Sequence, residues 1–115
     1  VLGERLAVWP FDSVAWDRAR LVVTEIFPRL FIRRAGGGGA KVRDQRSLET
    51  LLQQWQIVVD APGGSALDDH ATDALLAAAG MQDHCQRFAD ALMVPPVLAA
   101  TLALEGWIFG VPLRS

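Results

Sequence analysis

The acids and the histidine of Asp68-Asp69-His70-Ala71-Thr72-Asp73-Ala74 are the residues best suited to do chemistry in this chain. On a helix Asp69 and Asp73 stand at i, i+4 and share a face, and His70 and Asp73 are i, i+3 neighbours. Like charges at that spacing oppose helix formation slightly, and a divalent cation between them reverses the sign. Hard cations such as Mg²⁺ take one or two carboxylates with waters and phosphate oxygens, and this helix can supply them. Acids in the first turns of a helix also favour its dipole with no ligand at all. That covers Asp68 and Asp69 well but Asp73 poorly, because Asp73 sits two turns in, against the apolar stretch.

Glu25 is the second anomaly. It interrupts LVVTEIF, a run that otherwise reads as a central strand, with Val23, Glu25 and Phe27 on one face. A buried carboxylate without a partner costs several kcal/mol or shifts its pKa to neutralise. Two expectations stay open. Either the strand is an edge and Glu25 faces water or an arginine, or Glu25 lies at the strand end, facing a metal or a cleft.

A third feature is charge segregation. The net charge of −2 hides a basic arm of Arg29, Arg33, Arg34, Lys41, Arg43 and Arg46 against Asp44 alone, while residues 60–115 carry seven acids against Arg87 and Arg114. Such an arm suits a protein that holds phosphates in one place and a cation in another, and it also suits a solvated loop. Asp60, Asp83, His84 and Asp90 read as surface groups. Trp9, Trp16, Trp55 and Trp107 read as core, and Cys85 as a small packing residue.

These residues need elements to hold them. The 115 residues make one soluble globular domain. Residues 5–9 and 20–27 read as strands stopped by Pro10 and Pro28. The short span between them predicts an antiparallel pair. Residues 35–40, four glycines flanked by alanines, read as a flexible loop. They fit no phosphate-cradling glycine motif. Residues 44–55 predict a helix with Leu48, Leu51, Leu52 and Trp55 on one face, and Ile57–Val59 a short strand. A helix capped by Ser65 and ending at Gly80 should follow. Shorter helices are expected at 82–92 and 97–104, and EGWIFGV as a closing strand or apolar plug. No run reaches the roughly 18 apolar residues of a membrane helix. The single cysteine excludes an internal disulfide and suits a reducing cytoplasm. A chain opening at Val1 without Met or lead-in reads as a fragment or processed product.

Three segments, in order, resemble the family of predicted RNase H-like nucleases. They are AVWPFD at 7–12 with VVTEIFP at 22–28, DDHATDALLAAAG at 68–80, and EGWIFGV at 105–111, the last being the most telling. The helix motif is also similar to the last active-site helix of RuvC-type resolvases, with His70 and Asp73 at its two metal-facing positions. The resemblance implies an α/β domain, strands first and then helices, forming the C-terminal part of an RNase H-like fold. It implies phosphodiester hydrolysis with two Mg²⁺ or Mn²⁺ ions, which activate a water and steady the leaving oxygen. Asp73, His70 and Glu25 would be catalytic and would ligate metal, with Asp69 beside them. The superfamily's first strand, with its essential Asp, has no match here, and Asp60-Ala61-Pro62 falls too late to be the family's Asp-x-Pro strand. A fragment lacking its N-terminal strands is therefore expected, metal-free and inactive alone, forming a homodimer or self-associating through an open sheet edge. The alternative expectation is a non-catalytic nucleic-acid or protein-binding module using residues 29–46.

Overall fold

A computed structural model describes residues 6–12, 21–58 and 68–113. It is a mixed α/β chain with the element order β1 (Leu6–Trp9), β2 (Leu21–Thr24), α1 (Pro28–Arg34), α2 (Gln45–Gln53), α3 (Asp69–Arg87) and α4 (Pro96–Glu105). The strands precede the helices, as expected. The chain divides into two compact units, residues 1–26 with 90–115, and residues 27–89.

In the first unit β1 and β2 form a two-stranded sheet. The pair is parallel, in the register Leu6↔Leu21 to Trp9↔Thr24, not antiparallel. Eleven residues lie between the strands, just enough for a short crossover. Alternation buries Ala7 and Trp9 and turns Val8, Leu21 and Val23 toward solvent. The Trp9 indole donates to the Leu92 carbonyl at 2.9 Å and meets Phe109 edge-on, with ring centroids 5.8 Å apart. The Trp9–Pro10 peptide is cis. The tail forms no strand among the described residues. It is a plug, with Phe109 fully buried and its N–H donating to the Glu25 carbonyl at 2.9 Å.

The second unit is helical. The first helix, α1, stands where a strand end was expected, because Pro28 signals a strand stop and a helix N1 position equally well. Its buried side, Phe31 and Ile32, lies against α3. Its end is a Schellman cap: Gly36 N–H donates to the Arg33 carbonyl at 3.0 Å, and Gly37 N–H to the Ile32 carbonyl at 2.9 Å. Gly36 has φ +86°, which no other residue adopts cheaply. The glycine run therefore opens as a helix cap, not as undifferentiated loop.

In α2, Asp44 rather than an interior residue marks the boundary, its carboxylate accepting from the Ser47 N–H at 2.8 Å. Leu48, Leu51 and Leu52 are buried as predicted, in a cluster with Ile32, Ala35, Val42, Leu76 and Ala79, and Trp55 packs beside them. Ile57 and Val58 form no strand, and Val59 lies outside the described residues.

The third helix differs most from expectation. It starts at Asp69 with Asp68 as N-cap, accepting from Ala71 N–H at 2.6 Å. It runs through Gly80 to Arg87, absorbing most of the separate helix expected at 82–92. Ser65 lies outside the described residues. Gly80 is not a cap but a contact. A Cβ there would sit 2.6 Å from the Phe31 Cβ, so the glycine lets α1 and α3 approach. Of the tryptophans, Trp9 is buried, Trp55 and Trp107 are half-buried, and Trp16 lies outside the described residues. Cys85 is exposed, not packed inside, because it stands on the outer side of α3.

Candidate functional site

The first turns of α3 carry the acids singled out above. Asp69 is held by two cations of the basic arm: Lys41 Nζ lies 2.5 Å from one carboxylate oxygen and Arg43 Nε 3.3 Å from the other. The hydrogen bond from Lys41 is the main reason its carboxyl titrates below the usual aspartate range; desolvation opposes it, and the Lys41 and Arg43 charges add to the lowering. His70 is exposed and Asp73 half-buried on the next turn. No described residue hydrogen-bonds or ion-pairs with the Asp73 carboxylate.

Glu25 follows the end of β2 and is exposed. It lines an open groove of about 420 Å³ with Glu105, Trp107 and Ile108. Glu105 was not singled out by type or spacing. Its place in the same groove as Glu25 follows from the tail returning to Glu25, a contact with no sequence periodicity to announce it. Glu25 belongs to the first unit, and His70, Asp69 and Asp73 to the second.

The fit of these residues to a hard cation can be tested on their surroundings. Both Asp69 oxygens already face cations, which leaves Asp73 and His70 in the first turns of α3, while Asp83, farther along, is paired with Arg87. Mg²⁺ prefers oxygen donors, and imidazole suits softer metals. Among the described residues, no three His, Cys, Asp or Glu side chains come together as a metal-holding group. The α3 residues therefore do not fit a two-ion site on their own.

The basic arm is a built surface. Arg29 and Arg33 stand at i, i+4 on the exposed side of α1, opposite Phe31 and Ile32. Arg34 lies over the Phe31 ring, 5.9 Å from its centroid, and its guanidinium contacts His84 Nδ1 at 3.2 Å. Burial and the neighbouring Arg34 charge lower the His84 pKa, against a smaller opposite pull from Asp83. Beyond the Schellman cap, Lys41 and Arg46 line a second groove of about 390 Å³ with Gly37, Gly38, Ser47 and Thr50. All six basic side chains predicted as nucleic-acid contacts are exposed, with Asp44 and Glu49 the only acids between residues 27 and 58. No helix among the described residues is long and apolar enough to cross a membrane. Comparison with family models, with curated proteins and with solved structures finds no match for this chain.

Proposed function

We propose that this chain binds nucleic acid through the phosphate backbone, using the basic arm from Arg29 to Arg46. The observation that carries the reading is the exposure of six cations on one contiguous segment that a cap and a helix hold in shape. Like charges at i, i+4, as in Arg29 and Arg33, disfavour a helix by a few tenths of a kcal/mol, and a bound phosphate reverses that sign. Phosphate contacts of this kind position a protein without reading sequence. The exposed thiol of Cys85 accords with a reducing, cytoplasmic setting.

The test is a salt titration of binding to a labelled single strand, comparing the wild type with Arg29→Gln/Arg33→Gln. Each lost phosphate contact flattens the plot of log K against log salt by about 0.7 for a single strand, so the double variant should flatten it by about 1.4. A wild type whose affinity ignores salt contradicts the proposal.

A second reading is metal-dependent phosphodiester cleavage at His70 and Asp73 of α3. What favours it is Asp73, half-buried in an apolar helix with no described residue neutralising it. Under that reading Asp73→Asn abolishes cleavage and spares binding. Under the first reading Asp73→Asn changes neither.

A further inference from the structure

Among the described residues, Asp69 is the acid that Lys41 and Arg43 of the basic arm grip, one on each carboxylate oxygen. We propose that Lys41 and Arg43 form a phosphate-binding pair that Asp69 fills in the free protein, so that a nucleic-acid phosphate binds there by displacing the Asp69 carboxylate. This rests on the nucleic-acid reading above.

Four observations build the site. Lys41 and Arg43 flank the buried Val42, and alternation about that anchor sends both cations to the same side. They meet separate oxygens of one anion, at 2.5 and 3.3 Å, as two basic side chains meet the two non-bridging oxygens of a phosphodiester. The Lys41 and Arg43 side chains remain 51% and 70% exposed, so an incoming oxyanion reaches them. Lys41 also lines the groove that holds Arg46, so a phosphate drawing Lys41 away from Asp69 meets a second cation there.

Exposed ion pairs are weak, so the exchange has little to overcome. It is also nearly neutral in charge, one anion leaving as another arrives. Lys41 and Arg43 therefore add little to the salt dependence of the wild type. Removing the internal anion should unmask them.

The experiment is fluorescence anisotropy with a labelled oligothymidylate of about 12 nucleotides, a length within the usual single-strand site range. Wild type and Asp69→Asn are compared from about 50 to about 200 mM KCl. Asp69→Asn should bind more tightly at low salt, with a log–log slope steeper by about 1.4, two cations at about 0.7 each. Over that fourfold salt range the variant should lose about sevenfold more affinity than the wild type. Adding Lys41→Gln and Arg43→Gln to Asp69→Asn should return slope and affinity to wild-type values. Unchanged or weaker binding by Asp69→Asn at an unchanged slope overturns the exchange and leaves the nucleic-acid reading standing. Absence of binding by both proteins at low salt sinks both. Should Asp69→Asn fail to fold, the Asp69 carboxyl ¹³C titration in the wild type decides. It should move up toward an ordinary aspartate when oligothymidylate saturates the protein, and no movement refutes the exchange.

Discussion

At the scale of single residues, the environment decided roles that residue type left open. Asp69 and Asp73 have the same side chain, one turn apart, and only Asp69 meets Lys41 and Arg43. The spacing of the acids was legible in the sequence. The approach of a loop nearly thirty residues upstream was not, because no local pattern encodes which loop covers a helix N-terminus. His84 gives a prediction at this scale. Burial first, and the Arg34 guanidinium second, hold its pKa below the ordinary histidine value, with Asp83 opposing from its own helix. The folded state thus disfavours the protonated ring, while the unfolded chain accepts a proton normally. Stability is complete above the unfolded pKa near 6.5 and declines as pH falls below it, until the folded site also protonates. Thermal melts from about pH 7 to about pH 5 should show a falling midpoint in the wild type and a flatter one in His84→Gln. An equal decline in both would exclude His84 as the source.

At the scale of elements, capping chemistry explains most boundaries. Asp44 and Asp68 open α2 and α3 with side-chain bonds to backbone N–H groups. Pro28 and Pro96 stand at the first helical positions of α1 and α4. The apolar stripe of α2 was readable from its spacing, since a helix with one buried face writes its period into the chain. The continuity of α3 through Gly80 was not, since glycine ends a helix in isolation as readily as it admits a close neighbour. Gly80→Ala tests that reading. The added methyl would gain about 1 kcal/mol of helix propensity, but it meets the fully buried Phe31 and overpacks at a cost of about 1–3 kcal/mol. Because the Phe31 Cβ, which no rotamer change moves, lies among the near atoms with its ring, a net destabilisation of about 1–2 kcal/mol is expected in urea melts. A stabilised variant would mean that α1 and α3 do not meet at this glycine.

At the scale of the whole molecule, each unit has its own organising contact. In the helical unit it is the approach of α1 to α3 around Phe31 and Gly80. In the strand-containing unit it is Trp9, which ties β1 to the returning C-terminal segment through Leu92 and Phe109. Trp9→Phe would keep an aromatic ring and leave the Leu92 carbonyl unpaired. A loss of about 1–3 kcal/mol is expected, read as a lower urea midpoint at an unchanged m-value. No loss would mean that water replaces the indole N–H without cost. By itself the sequence determined the mixed α/β class, the strand-then-helix order, the buried side of α2 and the exposed basic arm, because these follow from local period, propensity and charge. Only the tertiary structure decided that the strands run parallel, that α3 passes through its glycine, and that Asp69 lies between Lys41 and Arg43. Each of these depends on which distant segment comes to lie against an element, and that choice is made by packing of the chain as a whole.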